Sequence, residues 1–297
     1  KSNLHVLNYS IPIDQKISFS ELKKHIHTIP EKPDLIPYVT SYYSENWGFC
    51  MTHNNFLKLK EGEYTVKIDS KLEEGRLTYG EFLISGKSEF EILLSCYVCH
   101  PSMCNDNLSG IVLLTQIAKH FKDLKNHYSI RFIFIPETIG AITWIHQNES
   151  NLSKIKHGLV ATCLGDSGKF TYKKSRQGNA EIDKTVIKIL KKSKVKFKTV
   201  DFFPWGSDER QFCSPGFDLP IGSLMRSMYG TEDFPEYHTS GDNLEYIKKE
   251  SLEESFEKYL EIIKSLDKNK PDINFRNIKR KISKNSKLHK NLIQKCE

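Results

Sequence analysis

Residues 91–110, EILLSCYVCHPSMCNDNLSG, constrain this chain more than any other stretch. The first nine are almost all apolar, the pattern of a strand buried on both faces of a sheet. The next ten, IVLLTQIAKH at 111–120, have the apolar spacing of a helix. Strand, loop and helix in that order belong to an open α/β sheet, where ligands bind in the crevice outside the carboxyl ends of the strands. His100 stands at that strand end, with Asp106 and Asn107 where the helix begins. Asp106, Asn107 and Ser109 could equally serve as a helix cap. An imidazole and a carboxylate so placed are also the start of a zinc site, and this segment alone weighs the two readings equally.

Polar residues at later strand ends shift that balance. The β-rich run 128–135 closes with Pro136, Glu137 and Thr138, and a helical stretch follows at 141–147. The run 158–164 is followed by Asp166 in a Gly-Asp-Ser-Gly turn, and His238 lies in a turn-rich loop before the last long helix. Strands of one parallel sheet deliver their carboxyl-end loops to a single edge. A His, Asp, Glu, Asp, His series at such places therefore points to one site.

The order and local context of that series resemble peptidase family M28, the zinc aminopeptidases. They resemble more closely a bacterial branch of aminopeptidase-like proteins, DUF4910, found among surface-polysaccharide biosynthesis genes. Four phrases carry the likeness: SYYSENWGFC at 41–50, CHPSMCNDNLSG at 99–110, GDSGKFTYKKS at 165–175 and FPEYHTSGDN at 234–243. The likeness covers residues 1 to 266. It implies a three-layer α/β/α fold with a mixed, mostly parallel sheet, plus a small β-rich inserted module. It also implies roles. His100 and Asp166 would each bind one metal, Asp106 would bridge that metal to a second, and His238 would belong to the second. Glu137 would be the general base taking a proton from water activated by zinc.

Three departures from the wider clan bear on the site. Thr138 replaces the second Glu of the family's pair, a ligand of the second metal, so one Zn²⁺ is expected, with two as the alternative. Ser102 replaces the Asp that orients the first His from behind. The step from His100 to Asp106 is also much shorter than in typical aminopeptidases. Further on, GSDERQ at 206–211 resembles the clan's Ser-Asp-His stretch, with Glu209 in place of His. There Asp208 would orient the pocket and Arg210 would hold a substrate carboxylate bidentately; an ordinary Asp–Arg surface pair explains the same residues. Asp242 and Asn243 would orient His238 or, the favoured reading, cap the last helix. CYVCH at 96–100 fits a haem-attachment pattern, but haem would have to insert at the end of a buried strand. Buried apolar thiols explain these cysteines better.

The formal charge of +7 belongs entirely to residues 267–297, and the rest is balanced. The enzyme-like body therefore lacks a nucleic-acid signature. The basic tail reads as a solvated connector, where related proteins carry a winged-helix module. The chain begins at Lys1 without Met and reads as a fragment lacking the family's N-terminal helices. Seven cysteines, an odd number, suit a reducing cytoplasm, and no apolar run approaches the roughly 20 residues of a membrane span. The expected organisation is a β-rich module at 1–75, the α/β/α domain at 76–266 and the tail at 267–297. Strands are expected at 63–68, 77–85, 90–98, 199–203 and 219–224, and helices at 180–194 and 250–266. The function expected is hydrolysis of an amide bond in a small peptide or amino-acylated substrate. The alternative is a pseudoenzyme that keeps the fold to bind a ligand or partner.

Overall fold

The computed structural model describes residues 3–268; the basic tail beyond Lys268 lies outside them. The chain first forms β1 (Ile13–Ser18), α1 (Phe19–Leu22), β2 (Ile26–His27), β3 (Phe49–Cys50), α2 (His53–Phe56) and β4 (Glu63–Ile68). It continues through β5 (Gly80–Ile84), β6 (Glu91–Tyr97), α3 (Ser109–Phe121), β7 (Ser129–Ile135), α4 (Ile139–Gln147) and β8 (Ile155–Ala161). The last elements are β9 (Phe170–Lys173), α5 (Glu181–Lys192), β10 (Phe197–Val200), α6 (Glu209–Phe212), β11 (Ile221–Met225) and α7 (Lys249–Lys268).

Seven strands form one sheet in the order β10-β9-β11-β8-β6-β7-β5. The pairs β10/β9, β11/β8, β8/β6 and β6/β7 are parallel, while β9/β11 and β7/β5 are antiparallel. The expected mixed, mostly parallel sheet is therefore present. Helices α3, α5 and α7 cover one face through Leu114, Ile117, Val186, Leu190, Tyr259 and Ile262. Helices α4 and α6 cover the other through Trp144, Ile145 and Phe212. Strand β6 serves both layers: Ile92, Leu94 and Cys96 face the first cluster and Leu93 the second, as a two-residue period requires. That double burial is why its sequence is apolar without alternation.

From β6 the chain crosses through α3 to β7 on one side, and then through α4 to β8 on the other. The carboxyl end of β6 is thus a topological switch point, where diverging connections leave a crevice. Gly110 lets α3 begin hard against β8, since a Cβ there would lie 2.5 Å from the Ala161 carbonyl oxygen.

Before the large sheet, β1 pairs with β4 and β2 with β3 around Phe19, Leu22, Trp47, Val66 and Ile68. The strand expected at 63–68 forms with those bounds. The strand expected at 199–203 forms earlier, at Phe197–Val200, because its pairing with β9 ends at Val200↔Lys173. Strand β9 has no counterpart in the sequence reading. Among the described residues, no helix is long and apolar enough to cross a membrane.

Candidate metal centre and adjoining pocket

Loops leaving β6, β7, β8 and β11 meet at the carboxyl edge of the sheet. The loop after β6 carries His100 and Asp106, both buried. The Asp242 carboxylate fixes this loop by accepting the backbone N–H groups of Asn105 and Asp106. Asp242 therefore neither orients His238 nor caps the last helix. Asn107 ties the loop sideways to β8, donating to the Ala161 carbonyl at 2.9 Å.

Ligand atoms of His100, Asp106 and His238 all lie within 4.8 Å of one another. His238 Nε2 is 3.2 Å from Asp106 Oδ2, an ion pair when the ring is protonated; neither atom has a hydrogen-bond partner of good direction, and both are buried. A buried carboxylate oxygen and imidazole nitrogen left unpartnered face to face are what a cation would satisfy. The rings of His100 and His238 are 5.3 Å apart. Burial raises the Asp106 carboxyl, but the His238 and His100 rings and the Tyr97 hydroxyl outweigh it and hold the group below its usual range. Burial pushes His100 down, and His238 adds to the effect. A charged carboxylate with a neutral imidazole suits a divalent metal.

Glu137 adjoins this group, with Oε2 3.9 Å from His100 Nε2. Burial first, and then the charges of Asp208 and Asp106, push it up to about 8. Cys99 links His100 and Glu137: its sulfur accepts the Glu137 backbone N–H at 3.2 Å and lies 3.3 Å from His100 Nδ1. In the tautomer that frees Nε2, Nδ1–H donates to that sulfur. Cys99 thus occupies the orienting role for which the sequence offered Ser102.

Asp166 is not part of the cluster. Its carboxylate accepts Ser227 Oγ–H at 2.6 Å, the Gly168 N–H at 2.7 Å and an Asn105 side-chain N–H at 2.9 Å. The structure thus does not bring Asp166 to His100, and gathers His100, Asp106 and His238 instead. The β8 exit residue that does face the site is Thr162, 2.6 Å from the Tyr97 hydroxyl, which in turn donates to Asp106. Thr138 is also engaged elsewhere: its Oγ1 accepts Arg210 Nη2–H at 2.6 Å and its N–H donates to Asp208 at 2.8 Å. Thr138 and His238 both have positive φ, 64° and 53°, and such backbone strain gathers at functional sites.

Asp208 and Arg210 stand beside the centre. With Glu137, Trp205, Tyr229 and Tyr237 they border or underlie a pocket of about 180 Å³. Glu209 does not face it as an acid, because Lys173 Nζ is 2.8 Å from its Oε1, with both side chains fully buried. One residue escaped the sequence reading altogether. Tyr38 comes from the N-terminal part, its ring 5.5 Å from that of His100 and 5.0 Å from that of His238. Its N–H donates to the His238 carbonyl at 2.8 Å. The only sequence signal was its place in an aromatic, proline-punctuated stretch.

This sheet order, with polar loops gathered at its carboxyl edge, is an aminopeptidase-like α/β/α fold. A zinc aminopeptidase from Bacillus subtilis superposes with a TM-score of 0.61 at 16% identity, over 81% of this chain and 63% of that one. The chain belongs to DUF4910, described as a domain of unknown function, whose profile matches residues 1–269. A Clostridium acetobutylicum protein provisionally named a polysaccharide biosynthesis protein with an aminopeptidase-like domain is 56% identical over 274 residues. That match takes in 92% of this chain but only 62% of the relative. A crystal structure from the same organism, provisionally named a peptidase, matches with a TM-score of 0.88 at 53% identity, over 93% of this chain and 67% of that one.

Proposed function

We propose that the protein is a hydrolase with one zinc ion, held by His100, Asp106 and His238, that cleaves an amide bond of a small peptide or amino-acylated substrate. The observation that carries this reading is the pair of unpartnered buried atoms, Asp106 Oδ2 and His238 Nε2, beside a carboxyl that burial has tuned toward neutrality. Bound there, zinc supplies Lewis-acid activation of water.

The chain's own groups do the rest. Glu137 takes a proton from the attacking water and returns it to the leaving nitrogen, a task suited to a carboxyl with a pKa near the working pH. Tyr97 keeps its proton, because burial lifts its hydroxyl well above the usual range, and so it donates steadily to Asp106. Tyr38 covers the two imidazoles and narrows the approach of solvent. The hydrogen bonds that Thr138 and Asp166 make elsewhere support a single metal. The name of the Clostridium relative supports an amino-acylated saccharide as one form of substrate.

Glu137→Gln tests the reading. It should keep one zinc and the native fold while lowering turnover of aminoacyl amides, dipeptides or N-acylated amino sugars by at least about 100-fold. Asp106→Ala should lose both metal and turnover. A wild-type protein that carries zinc, cleaves none of these and binds one of them with affinity unchanged by Glu137→Gln would instead be a binding protein. The engagement of Thr138 and Asp166, which pares the site down from the clan's two metals, favours that second reading.

A further inference from the structure

The pocket beside Glu137 has the wrong charge for gripping a free amine. A substrate α-ammonium needs a carboxylate facing it, and among the described residues the only carboxylate lining this pocket is Glu137 itself. Asp208 gives Oδ1 to the Thr138 N–H and Glu209 gives Oε1 to Lys173, and their second oxygens, buried and unpartnered, do not line the pocket. The pocket does carry a cation, Arg210. Two other arginines of the fold are paired: half-buried Arg131 with Glu91 and Glu81, and buried Arg226 with Glu254. Arg210 makes no ion pair within 4.0 Å among the described residues. Its hydrogen bond goes to a neutral hydroxyl, that of Thr138, and its Nε is buried without an acceptor. A guanidinium is a planar fork that takes a carboxylate through two parallel hydrogen bonds; here its charge acts on Glu137 and Asp208 from a distance, but the fork itself holds no carboxylate. The walls beside it, Trp205 and Tyr229, are aromatic, and a pocket of about 180 Å³ is of the size of one amino-acid residue.

We infer that Arg210 binds a carboxylate of the substrate, so that the group held in this pocket is an amino acid with a free carboxyl end, acylated on its nitrogen. This rests on the reading of the neighbouring centre as hydrolytic. In the reaction, water attacks the acyl carbon, the carbon–nitrogen bond breaks, and the acyl group leaves as a carboxylic acid. The nitrogen takes the proton carried by Glu137, and the free amino acid remains on Arg210. The substrate class is thus N-acylated amino acids, including dipeptides read from their carboxyl end.

Zinc-loaded protein is titrated by calorimetry with N-acetyl-L-alanine and with N-acetyl-L-alaninamide, which differ only in the carboxylate. Turnover of both is followed in parallel. The wild type should bind the acid at least about 10-fold tighter than the amide. Arg210→Gln should weaken the acid about 10- to 100-fold, the range of a charge-assisted hydrogen bond, and leave the amide unchanged. Arg210→Lys, which keeps the charge but not the fork, should recover part of the loss, and its melting temperature controls for folding. Arg210-dependent binding of the acid without hydrolysis of either probe supports the carboxylate site and removes the hydrolase reading. Hydrolysis of aminoacyl amides together with equal or weaker binding of the acid overturns the carboxylate site and leaves the hydrolase reading intact. Failure of the acid to bind at 10 mM, or a preference for it that survives in Arg210→Gln, overturns the inference.

Discussion

Removing one amine from beneath the pocket should unfold this protein several degrees sooner. Lys173 and Glu209 are fully buried, with Nζ and Oε1 2.8 Å apart. Lys173 also donates to the Trp205 carbonyl and lies 3.8 Å from the centre of the Phe203 ring, while Tyr229 donates to Glu209 at 3.3 Å. Lys173→Met keeps the length and apolar stem of the side chain but leaves the Glu209 carboxylate with only the Tyr229 hydroxyl, in a site closed to water. Breaking a buried pair from one side costs about 3–5 kcal/mol, and the lost bond to Trp205 adds about 1 kcal/mol. At roughly 2–4 °C per kcal/mol for a chain of this size, the melting temperature should fall by about 10 °C or more. Lys173→Met combined with Glu209→Gln removes the stranded charge and should recover most of that loss, since an uncharged replacement for a buried pair is often near neutral. Thermal and urea denaturation of the single and double variants measure both steps. A single variant within about 1 kcal/mol of wild type, or a double variant no better than the single, would refute the account of this pair as a charge-compensated unit.

Asp166→Asn should lower stability through its lost hydrogen bonds yet leave zinc content unchanged, and metal analysis showing a loss would return Asp166 to the ligand set. Cys99→Ala should weaken zinc binding about 10- to 100-fold, the usual effect of removing a group that orients a ligand, with Cys99→Ser in between. Chelator competition reads this, and unchanged affinity would dismiss the sulfur as an orienting group. His157 is buried edge-on to Tyr128, with its Nδ1 unpartnered, and burial pushes its pKa from 6.5 down to about 4. The unfolded chain therefore binds this proton first, so the stability tied to a neutral His157 is intact above pH 6.5 and is lost as the pH falls toward 4. The loss amounts to about 3 kcal/mol. In His157→Gln the decline across that window should be shallower by this amount, and identical slopes would sink the assignment.

The elements legible in the sequence were those whose own residues state their burial. Strand β6 declares itself by an apolar run, and His100 and Glu137 follow from standing at the ends of such runs. Strand β9 escaped because Lys173 reads as a surface residue until Glu209, 36 positions later, supplies its counter-charge. Asp166 is turned away from the cluster for a related reason. A carboxylate at a strand exit is visible in sequence, but its direction is set by Ser227, 61 residues away. The true site-facing residue of that exit, Thr162, carries no charge to attract notice. Tyr38 could not be placed at all, because its position depends on a pairing between Pro37 and Thr239 that no local pattern specifies.

That pairing gives the centre a position in time as well as in space. The hydrogen bond from the Ile36 N–H to Ser240 joins residues 204 apart in sequence, and Tyr38 and His238 meet across the same junction. Contacts of such long separation bear the full entropy of loop closure and form late. A chain emerging from the ribosome holds His100, Asp106 and Glu137 well before His238 exists, so the three groups cannot assemble on a partial chain. A zinc ion bound as proposed would report finished folding, and would add its binding energy only to molecules whose two distant segments have met.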